Sequence, residues 1–333
     1  MKSSWRIRVA AVATLVKRSL SDRVSGLIGS HPPQVGIRAG AYLAQLYLRI
    51  AYNEKNSNFR TNGELHLLRA VADECRDAST STVFDVGANT GQYARLAVET
   101  VRNATVHCFE IVPGTRDTLG TRLAALPRCI VAPHGLSDQT GTLQIALRHE
   151  CDTNARVPSQ LLEGYSRVVS CEVTTGDDYI RTHGISSIDL LKIDTEGHEM
   201  AVMAGFADSI EAGIVKAIQF EYGTTWIPYR KFLHDAYSLL APAGYCVGRL
   251  YPDGVDFKSY DRVRDDHFRM GNYVAVLRSR QQLARRLALN PEMTLTSAAV
   301  SMERARRSEH KALGPAAMDR ELRSSRSMEH PSY

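Results

Sequence analysis

Side chains that can exchange protons are crowded into one short segment of this chain. In Asp194-Thr195-Glu196-Gly197-His198-Glu199, four of the six residues carry a carboxylate or an imidazole. His198 has the right unperturbed pKa to take a proton from a hydroxyl group near neutral pH, and a neighbouring carboxylate can orient it or take the proton itself. The candidates for that carboxylate are Asp194, Glu196 and, farther along the chain, Glu221. The segment therefore indicates base catalysis at a hydroxyl group, with His198 as the leading base.

Two predicted strands must bring these side chains together. The run 188–193 has the pattern of a buried strand and leads into Asp194, and the run 214–222 has the same pattern and contains Glu221 near its end. If the two strands are neighbours, their backbones lie about 5 Å apart and both carboxylates point into one crevice. That arrangement suits a hydroxyl acceptor or a divalent cation. The alternative is structural, because carboxylates also cap helix N-termini and His198 can face solvent in a first helical turn.

A glycine loop lies earlier in the chain, within Val83–Tyr93. It reads as a buried strand that turns through Gly87 and Gly91 into a helix, which is where α/β sheets bind nucleotides. Asn89 replaces the middle glycine that lets a dinucleotide's pyrophosphate approach the backbone. S-adenosylmethionine carries no phosphate, and its methionine ammonium suits the carboxylate of Asp85. The loop thus favours this cofactor over NAD(P), although an ordinary βα turn is the alternative for the loop alone.

Two further segments can complete a cofactor site. Glu110 ends the next predicted strand, where a carboxylate can accept both ribose hydroxyls, or can simply face solvent. Asp138, preceded by Ser137, can meet the adenine amino group or only initiate a turn. The predicted cofactor-binding residues are Asp85, Gly87, Ala88, Asn89, Gly91, Glu110, Ser137 and Asp138.

The loop after the strand of Glu221 is the predicted acceptor-binding region. It runs from Tyr222 to Arg230 and combines aromatic side chains with a guanidinium, which suits a carbohydrate or a polar lipid head group. The same residues can instead pack the loop. The predicted acceptor-binding residues are Tyr222, Trp226, Tyr229 and Arg230.

Together these segments resemble the FkbM-type methyltransferases. The runs that carry the resemblance are VFDVGANTGQY, the strand ending CFE, the LSD-x-x-G turn, TTGDDYI and LLKIDTEGHEMAVMAG, and the similarity extends over about Asn62–Leu277. One departure is Thr175, where the family more usually has a leucine. The resemblance implies a class I methyltransferase fold, an α/β Rossmann-like architecture with a seven-stranded, mostly parallel sheet and helices on both faces.

The resemblance also implies a reaction, namely S-adenosylmethionine-dependent O-methylation of a hydroxyl on a sugar, a glycan or glycolipid, or a small molecule. The motifs specify this reaction better than they specify the acceptor. Two alternatives stay open: a binding or regulatory protein that keeps the cofactor fold without turnover, and an NAD(P)-dependent dehydrogenase, against which Asn89 argues.

Charge is distributed unevenly along the chain. Residues 1–60 carry ten Lys and Arg against two acidic residues and residues 279–333 carry ten against six, so residues 61–278 carry a net charge of −7 although the whole chain is at +5. We expect a basic N-terminal helical extension (1–60), a methyltransferase domain (61–278) and a basic C-terminal tail (279–333) that is partly helical or disordered. An acidic catalytic domain disfavours a nucleic-acid substrate.

The N-terminal extension holds two predicted helical regions. Residues 1–30 place basic residues around a short apolar run and can form an amphipathic helix on an anionic membrane, or a helix packed on the catalytic domain. Ile37–Tyr52 has an apolar stripe at helical spacing and is expected to be core or a cap near the cofactor site. The six cysteines show no metal-binding spacing. We therefore expect a cytoplasmic protein, with the inner face of the membrane as an alternative; the sequence does not indicate an oligomeric state.

Overall fold

The computed structural model describes residues 25–26, 35–149, 152, 154–158, 164–165 and 167–290. It divides into two compact units, residues 1–54 and 55–333. In the first unit the described helix is α1 (Val35–Ala51), which confirms the helix predicted at 37–52. Large apolar side chains of α1, including Tyr42, Tyr47 and Ile50, are exposed. The predicted membrane contact of residues 1–30 lies almost wholly outside the described residues.

The second unit is built on one large sheet. From one edge to the other its strands are ordered β10-β9-β11-β8-β7-β1-β2-β3. These strands are β1 (Ser81–Val86), β2 (Ala104–Phe109), β3 (Cys129–Val131), β7 (Leu190–Ile193), β8 (Ala217–Tyr222), β9 (Tyr245–Tyr251), β10 (Gly254–Phe257) and β11 (Gly271–Leu277).

The centre of this sheet is parallel and creates a place for a ligand. β3, β2, β1, β7 and β8 pair in parallel, whereas β11 and β9 form an antiparallel edge. The chain leaves β1 toward β2 on one side and returns to β7 on the other side. Ligands of open α/β sheets bind at such a reversal, outside the carboxyl ends of the strands. The α/β architecture with a mostly parallel sheet agrees with the prediction.

The strand count differs from the prediction, because the main sheet has eight strands and seven were expected. The additional strand is β10, which forms an antiparallel hairpin with β9. It is only four residues long, too short for its alternation to be recognised in the sequence. A second sheet, ordered β4-β6-β5, was also not predicted. Its strands are β4 (Gly135–Leu136), β5 (Gly141–Leu147) and β6 (Arg167–Thr174).

Helices cover both faces of the main sheet, as expected. Strand residues alternate between two apolar clusters: Val83 and Leu190 belong to one, Phe84 and Leu191 to the other. The helices of this unit are α2 (Glu64–Glu74), α3 (Gln92–Thr100), α4 (Pro113–Leu123), α5 (Gly176–His183), α6 (Glu199–Ala204), α7 (Ala207–Glu211), α8 (Leu233–Leu240), α9 (Gln281–Leu287) and a 3-10 helix at Thr224–Tyr229.

The end of the described chain belongs to this core. Leu283, Ala284 and Leu287 of α9 are buried in the same cluster as Leu67 and Leu68 of α2. The first helix of the predicted C-terminal tail therefore packs onto the catalytic unit. No helix of the described residues is long and apolar enough to cross a membrane.

Candidate active site

A cavity of about 450 Å³ lies at the carboxyl ends of β1, β2 and β7. Its walls include the glycine loop after β1, Glu110 after β2, and the loop that begins at Asp194 after β7. Residues of the segment between β5 and β6, including Arg156, line it as well. The cavity thus occupies the place where the sheet topology predicts a ligand.

The glycine loop and the Asp194 loop touch through their backbones. Gly87 has a φ of 79°, and a Cβ atom at this position would overlap the backbone oxygen of Asp194. Gly91 has a φ of 84° at the start of α3, where a Cβ atom would lie 2.9 Å from Leu119 Cδ1. Because only glycine combines positive φ with this close approach at low cost, the two loops can form one wall of the cavity.

Unpartnered oxygen atoms on this wall fit a cationic cofactor. Asp85 is fully buried, and neither of its carboxylate oxygens has a hydrogen-bond partner in the described structure, although Lys192 Nζ lies 3.4 Å from Oδ1. Burial raises the pKa of Asp85 and Lys192 opposes this rise. Asn89 has a φ of 49°, and its buried Oδ1 also lacks a partner. An ammonium group of a bound ligand would satisfy such oxygens.

Glu110 is held in place by the backbone. Its Oε2 accepts a hydrogen bond of 2.9 Å from Asn89 N, and its Oε1 accepts one of 2.9 Å from Val112 N. Burial raises the pKa of Glu110 to about 7. Since a carboxylate oxygen can accept two hydrogen bonds, each oxygen still has a lone pair for a ribose hydroxyl.

The predicted adenine contacts, Ser137 and Asp138, are not among the described residues that line the cavity. Ser137 is buried, and its hydroxyl lies 2.9 Å from Asp138 Oδ1 and 2.9 Å from His198 Nε2. Asp138 is exposed, and within the described chain neither of these two residues lines the cavity. His198 does line it, and burial lowers the pKa of His198. Ser137 therefore connects to the site through the imidazole.

Asp194 and Glu196 both line the cavity. Asp194 Oδ2 accepts a hydrogen bond of 3.2 Å from Lys192 Nζ. Glu196 has a φ of 56°, unusual for a side chain other than glycine or asparagine, and its Oε2 pairs with Arg156 Nη2 at 2.8 Å. Burial raises the pKa of Glu196, and the charge of Asp194 raises it further. This strained backbone directs the carboxylate of Glu196 toward Arg156, in the segment between β5 and β6.

The carboxylate of Glu199 stabilises this turn through hydrogen bonds. Its fully buried carboxylate accepts hydrogen bonds from Thr195 N, Thr195 Oγ1 and Gly197 N at 2.8 to 3.2 Å. Burial raises the pKa of Glu199 to about 7. These contacts hold the loop before α6 and do not cap the helix, because both backbone donors, Thr195 and Gly197, precede it.

Glu221 lies beside Asp194, so the condition under which the sequence placed the two carboxylates together, that their strands are neighbours, is met. β7 and β8 are parallel neighbours in which Ile193 pairs with Phe220, so the next residues of the two strands are Asp194 and Glu221. Burial raises the pKa of Glu221 well above its ordinary value, and the charges of Asp194 and Glu196 raise it further. Glu221 is half-buried and is not among the cavity-lining residues of the described chain.

The predicted acceptor-binding residues occupy other positions. Tyr222 and Trp226 are fully buried in the core, where Trp226 Nε1 donates to the backbone oxygen of Glu221. Tyr229 donates its hydroxyl hydrogen to Val157 O at 2.7 Å, and Arg230 is exposed. None of the four lines the cavity within the described part of the chain. The rings of Tyr222 and Trp226 pack in the apolar core, whereas Tyr229 is half-buried and contacts Val157, a residue of the cavity wall.

Several cavity-lining residues had not been selected from the sequence, and two of them, Arg156 and Lys192, pair with carboxylates of the site. Arg156 comes from the segment between β5 and β6, forty residues away from its partner Glu196, and no local pattern marks it. Lys192 could have been recognised, because it lies two residues before Asp194 on a strand, where alternate residues share a face. An apolar strand that contains a lysine is itself a signal of a buried charge partner.

Among the described residues, no group of three or more His, Cys, Asp and Glu side chains is placed to hold a metal ion. Asp194 and Glu221 supply two neighbouring carboxylates, and the ammonium of Lys192 already contacts one of them.

Comparison with known proteins supports the motif reading. Residues 85–247 match the family model described as the methyltransferase FkbM domain. The match includes Asp85, Glu110, Asp194 and Glu221 and ends within β9.

Two curated relatives are methyltransferases by name. The hexuronic acid methyltransferase AglP of Haloferax volcanii is 23% identical over 181 residues, which cover 52% of this chain and 69% of that protein. The 2-O-methyltransferase NoeI of Sinorhizobium fredii is 26% identical over 141 residues, which cover 38% of this chain and 58% of that protein. The chain thus spans less than two thirds of the second relative.

Solved structures are similar over a comparable part of the chain. The crystal structure of a precorrin-6y C5,15-methyltransferase from Geobacter metallireducens has 12% sequence identity and a TM-score of 0.34. The similarity covers 63% of this chain and 87% of that chain.

Proposed function

Since residues 85–247 belong to the methyltransferase FkbM family, we propose that this protein transfers the methyl group of S-adenosylmethionine to a hydroxyl group of a sugar, a glycan or glycolipid, or another small molecule. The names of the two curated relatives support a sugar hydroxyl as the acceptor, one through hexuronic acid and the other through 2-O-methylation.

The observation that carries the proposal is the contact between the glycine loop and the Asp194 loop. Because the backbone at Gly87 packs against Asp194, a cofactor held by Asp85 and a hydroxyl held by Asp194 would share one cavity. Methyl transfer is an in-line displacement, and holding the two reactants in line supplies much of its rate.

Each residue has a stated role in this proposal. Asp85 binds the methionine ammonium, and Glu110 accepts hydrogen bonds from the ribose. Asp194 orients the acceptor hydroxyl, and Glu221 beside it takes the proton. The bound cofactor supplies a methyl group on a sulfonium sulfur. The protein's own work is to align the hydroxyl, remove its proton and exclude water.

The base is assigned differently from the sequence expectation. His198 was the leading candidate, but its Nε2 is engaged by Ser137 and burial lowers its pKa. Glu221 lies next to Asp194, and burial raises its pKa, which favours proton acceptance. His198 stays the alternative base.

The proposed acceptor-binding residues include one from the segment between β5 and β6, Arg156, which lines the cavity. Arg156 presents a guanidinium whose Nε is buried without a partner in the described structure, and its Nη2 pairs with Glu196. A guanidinium and a carboxylate side by side can donate to and accept from neighbouring sugar hydroxyls. We therefore assign acceptor binding to Arg156 and Glu196.

The test is methyl transfer itself. The purified full chain is incubated with S-adenosylmethionine and a panel of neutral glycosides, uronic acids and glycolipids, and S-adenosylhomocysteine release and product mass are measured. In D194N we expect kcat to fall about 100-fold with cofactor affinity retained, because the hydroxyl loses its acceptor. D117N, an exposed site on α4, is the matched control.

Three outcomes would contradict parts of the proposal. Cofactor binding without transfer to any acceptor would favour a regulatory binding protein. Binding of NAD(P) but not of S-adenosylmethionine would favour a dehydrogenase. A rate that is lost in a chelator and restored by Mg²⁺ would place a divalent cation at Asp194 and Glu221, the alternative that their two carboxylates leave open.

A further inference from the structure

Three polar side chains lie side by side in the middle of the sheet. The strand register pairs Asp85 on β1 with Lys192 on β7, and Lys192 with Gln219 on β8. All three are at most 3% exposed. Their neighbours on this face of the sheet are apolar core residues. A buried lysine at the centre of a sheet is costly unless it has charged partners.

Lys192 has those partners on both sides of the cavity. Its Nζ lies 3.4 Å from Asp85 Oδ1 and 3.2 Å from Asp194 Oδ2, and 5.0 Å from the centre of the Tyr93 ring. Burial lowers the pKa of Lys192, but the carboxylates of Asp194, Asp85 and Glu64 outweigh burial and raise it. Lys192 is therefore a charged ammonium between the cofactor carboxylate and the acceptor carboxylate.

Glu64 extends this network and lies outside residues 85–247, which match the family model. It lies at the start of α2, 2% exposed, and accepts hydrogen bonds from Gln219 Nε2 at 2.6 Å and Asn62 Nδ2 at 2.7 Å. The hydroxyl of Tyr93 donates to Gln219 Oε1 at 3.5 Å, and the ring of Tyr93 faces the ammonium of Lys192. Lys192 is thus fixed by contacts on several sides and has little freedom to move.

We infer that Lys192 is a positioning residue that aligns the two reactants by holding Asp85 and Asp194 at once. One ammonium fixes one oxygen of each carboxylate. The remaining oxygens stay available, Asp85 Oδ2 for the cofactor and Asp194 Oδ1 for the acceptor hydroxyl. This role rests on the proposed function. It differs from simple charge balance, in which Lys192 would serve only to compensate the buried Asp85.

A double-variant comparison separates these two roles. The variants are D85N, K192M and D85N/K192M, assayed as full-length protein at saturating S-adenosylmethionine, with cofactor Kd from calorimetry. K192M leaves Asp85 buried without a cation and is expected to lose stability, whereas D85N/K192M removes both charges and regains it. If Lys192 positions Asp194, kcat of D85N/K192M falls about tenfold or more below that of D85N.

The opposite result is equally clear. If D85N/K192M and D85N have the same kcat, Lys192 only balances the charge of Asp85 and the inference is wrong. K258M is the matched control, because Lys258 also pairs with a buried aspartate, Asp265, outside the cavity; it should lower the melting temperature without changing kcat. Absence of transfer in the wild type would instead contradict the proposed function, so the two failures are distinguishable.

Discussion

The two loops that meet in the cavity are built differently. The cofactor side, Asp85–Gly91, is fixed through its backbone amides: Gly87 N and Ala88 N both donate to Phe109 O on the neighbouring strand β2, and Asn89 N donates to Glu110 Oε2. The acceptor side, Asp194–Glu199, pairs its outward side chains with distant parts of the chain, Glu196 with Arg156 and His198 with Ser137.

This difference reflects what each loop must do. A loop that binds one invariant ligand can be specified by local backbone geometry, because the ligand's shape does not change. A loop that recognises an acceptor can be completed by side chains from other segments of the chain. Its specificity can then change when the sequence of those segments changes. In our proposal, the cofactor side therefore sets the reaction, and the segment around Arg156 sets the acceptor.

The largest expected effect breaks the contact between the loops. G87A adds a methyl group that overlaps the backbone oxygen of Asp194 at a positive φ, so both loops must move apart. We expect loss of cofactor binding by calorimetry and a destabilisation of about 3 kcal/mol in urea unfolding. The matched control is G120A, since a Cβ at this helical glycine meets nothing within 4 Å. Wild-type cofactor affinity in G87A would show that the loops do not depend on each other.

The cofactor side was also the part that sequence could predict. Asp85, Gly87, Ala88, Asn89 and Glu110 all line the cavity, because glycine spacing and strand ends are local signals. The adjacency of Asp194 and Glu221 was expected only if their strands were neighbours, because the alternation of strands and helices indicates parallel strands but not their order across the sheet.

The acceptor side could be predicted only in part. Of the predicted acceptor-binding residues, Tyr222, at the end of β8, and Trp226 are buried in an apolar cluster. Arg156 could not be found from sequence, because its pairing with Glu196 joins residues forty positions apart and no local pattern marks it. Aromatic composition does not distinguish a binding loop from a packed one.

The second prediction concerns which acidic or basic group removes the proton. A carboxyl base works only when ionised. Because burial raises the pKa of Glu221, kcat should rise with pH well above the range of an ordinary glutamate and then level off. In E221Q we expect kcat to fall about 100-fold and this rise to disappear. The measurement is kcat against pH at saturating substrates.

His198 as the base would give a rise of kcat at lower pH, and it serves as the comparison. Burial lowers its pKa, so an imidazole base would stay neutral and active through neutral pH and lose activity only in acid. H198Q should therefore keep the rise that belongs to Glu221. If E221Q keeps a kcat near that of the wild type, and H198Q abolishes a rise of kcat that lies in the acidic range, the imidazole is the base, as the sequence indicated.

The smallest expected effect concerns Arg156, which the segment between β5 and β6 contributes to the cavity. R156A removes the guanidinium that pairs with Glu196, and we expect the acceptor KM to rise about tenfold while cofactor Kd stays unchanged. R156K keeps the charge but loses the planar fork, so its KM should lie close to that of R156A if hydrogen-bond geometry matters more than charge. R76A, which removes an exposed arginine paired with Asp73, is the control. An unchanged acceptor KM in R156A would move acceptor recognition away from this segment. A raised cofactor Kd would show instead that Arg156 belongs to the cofactor side, which would remove the division between the two loops.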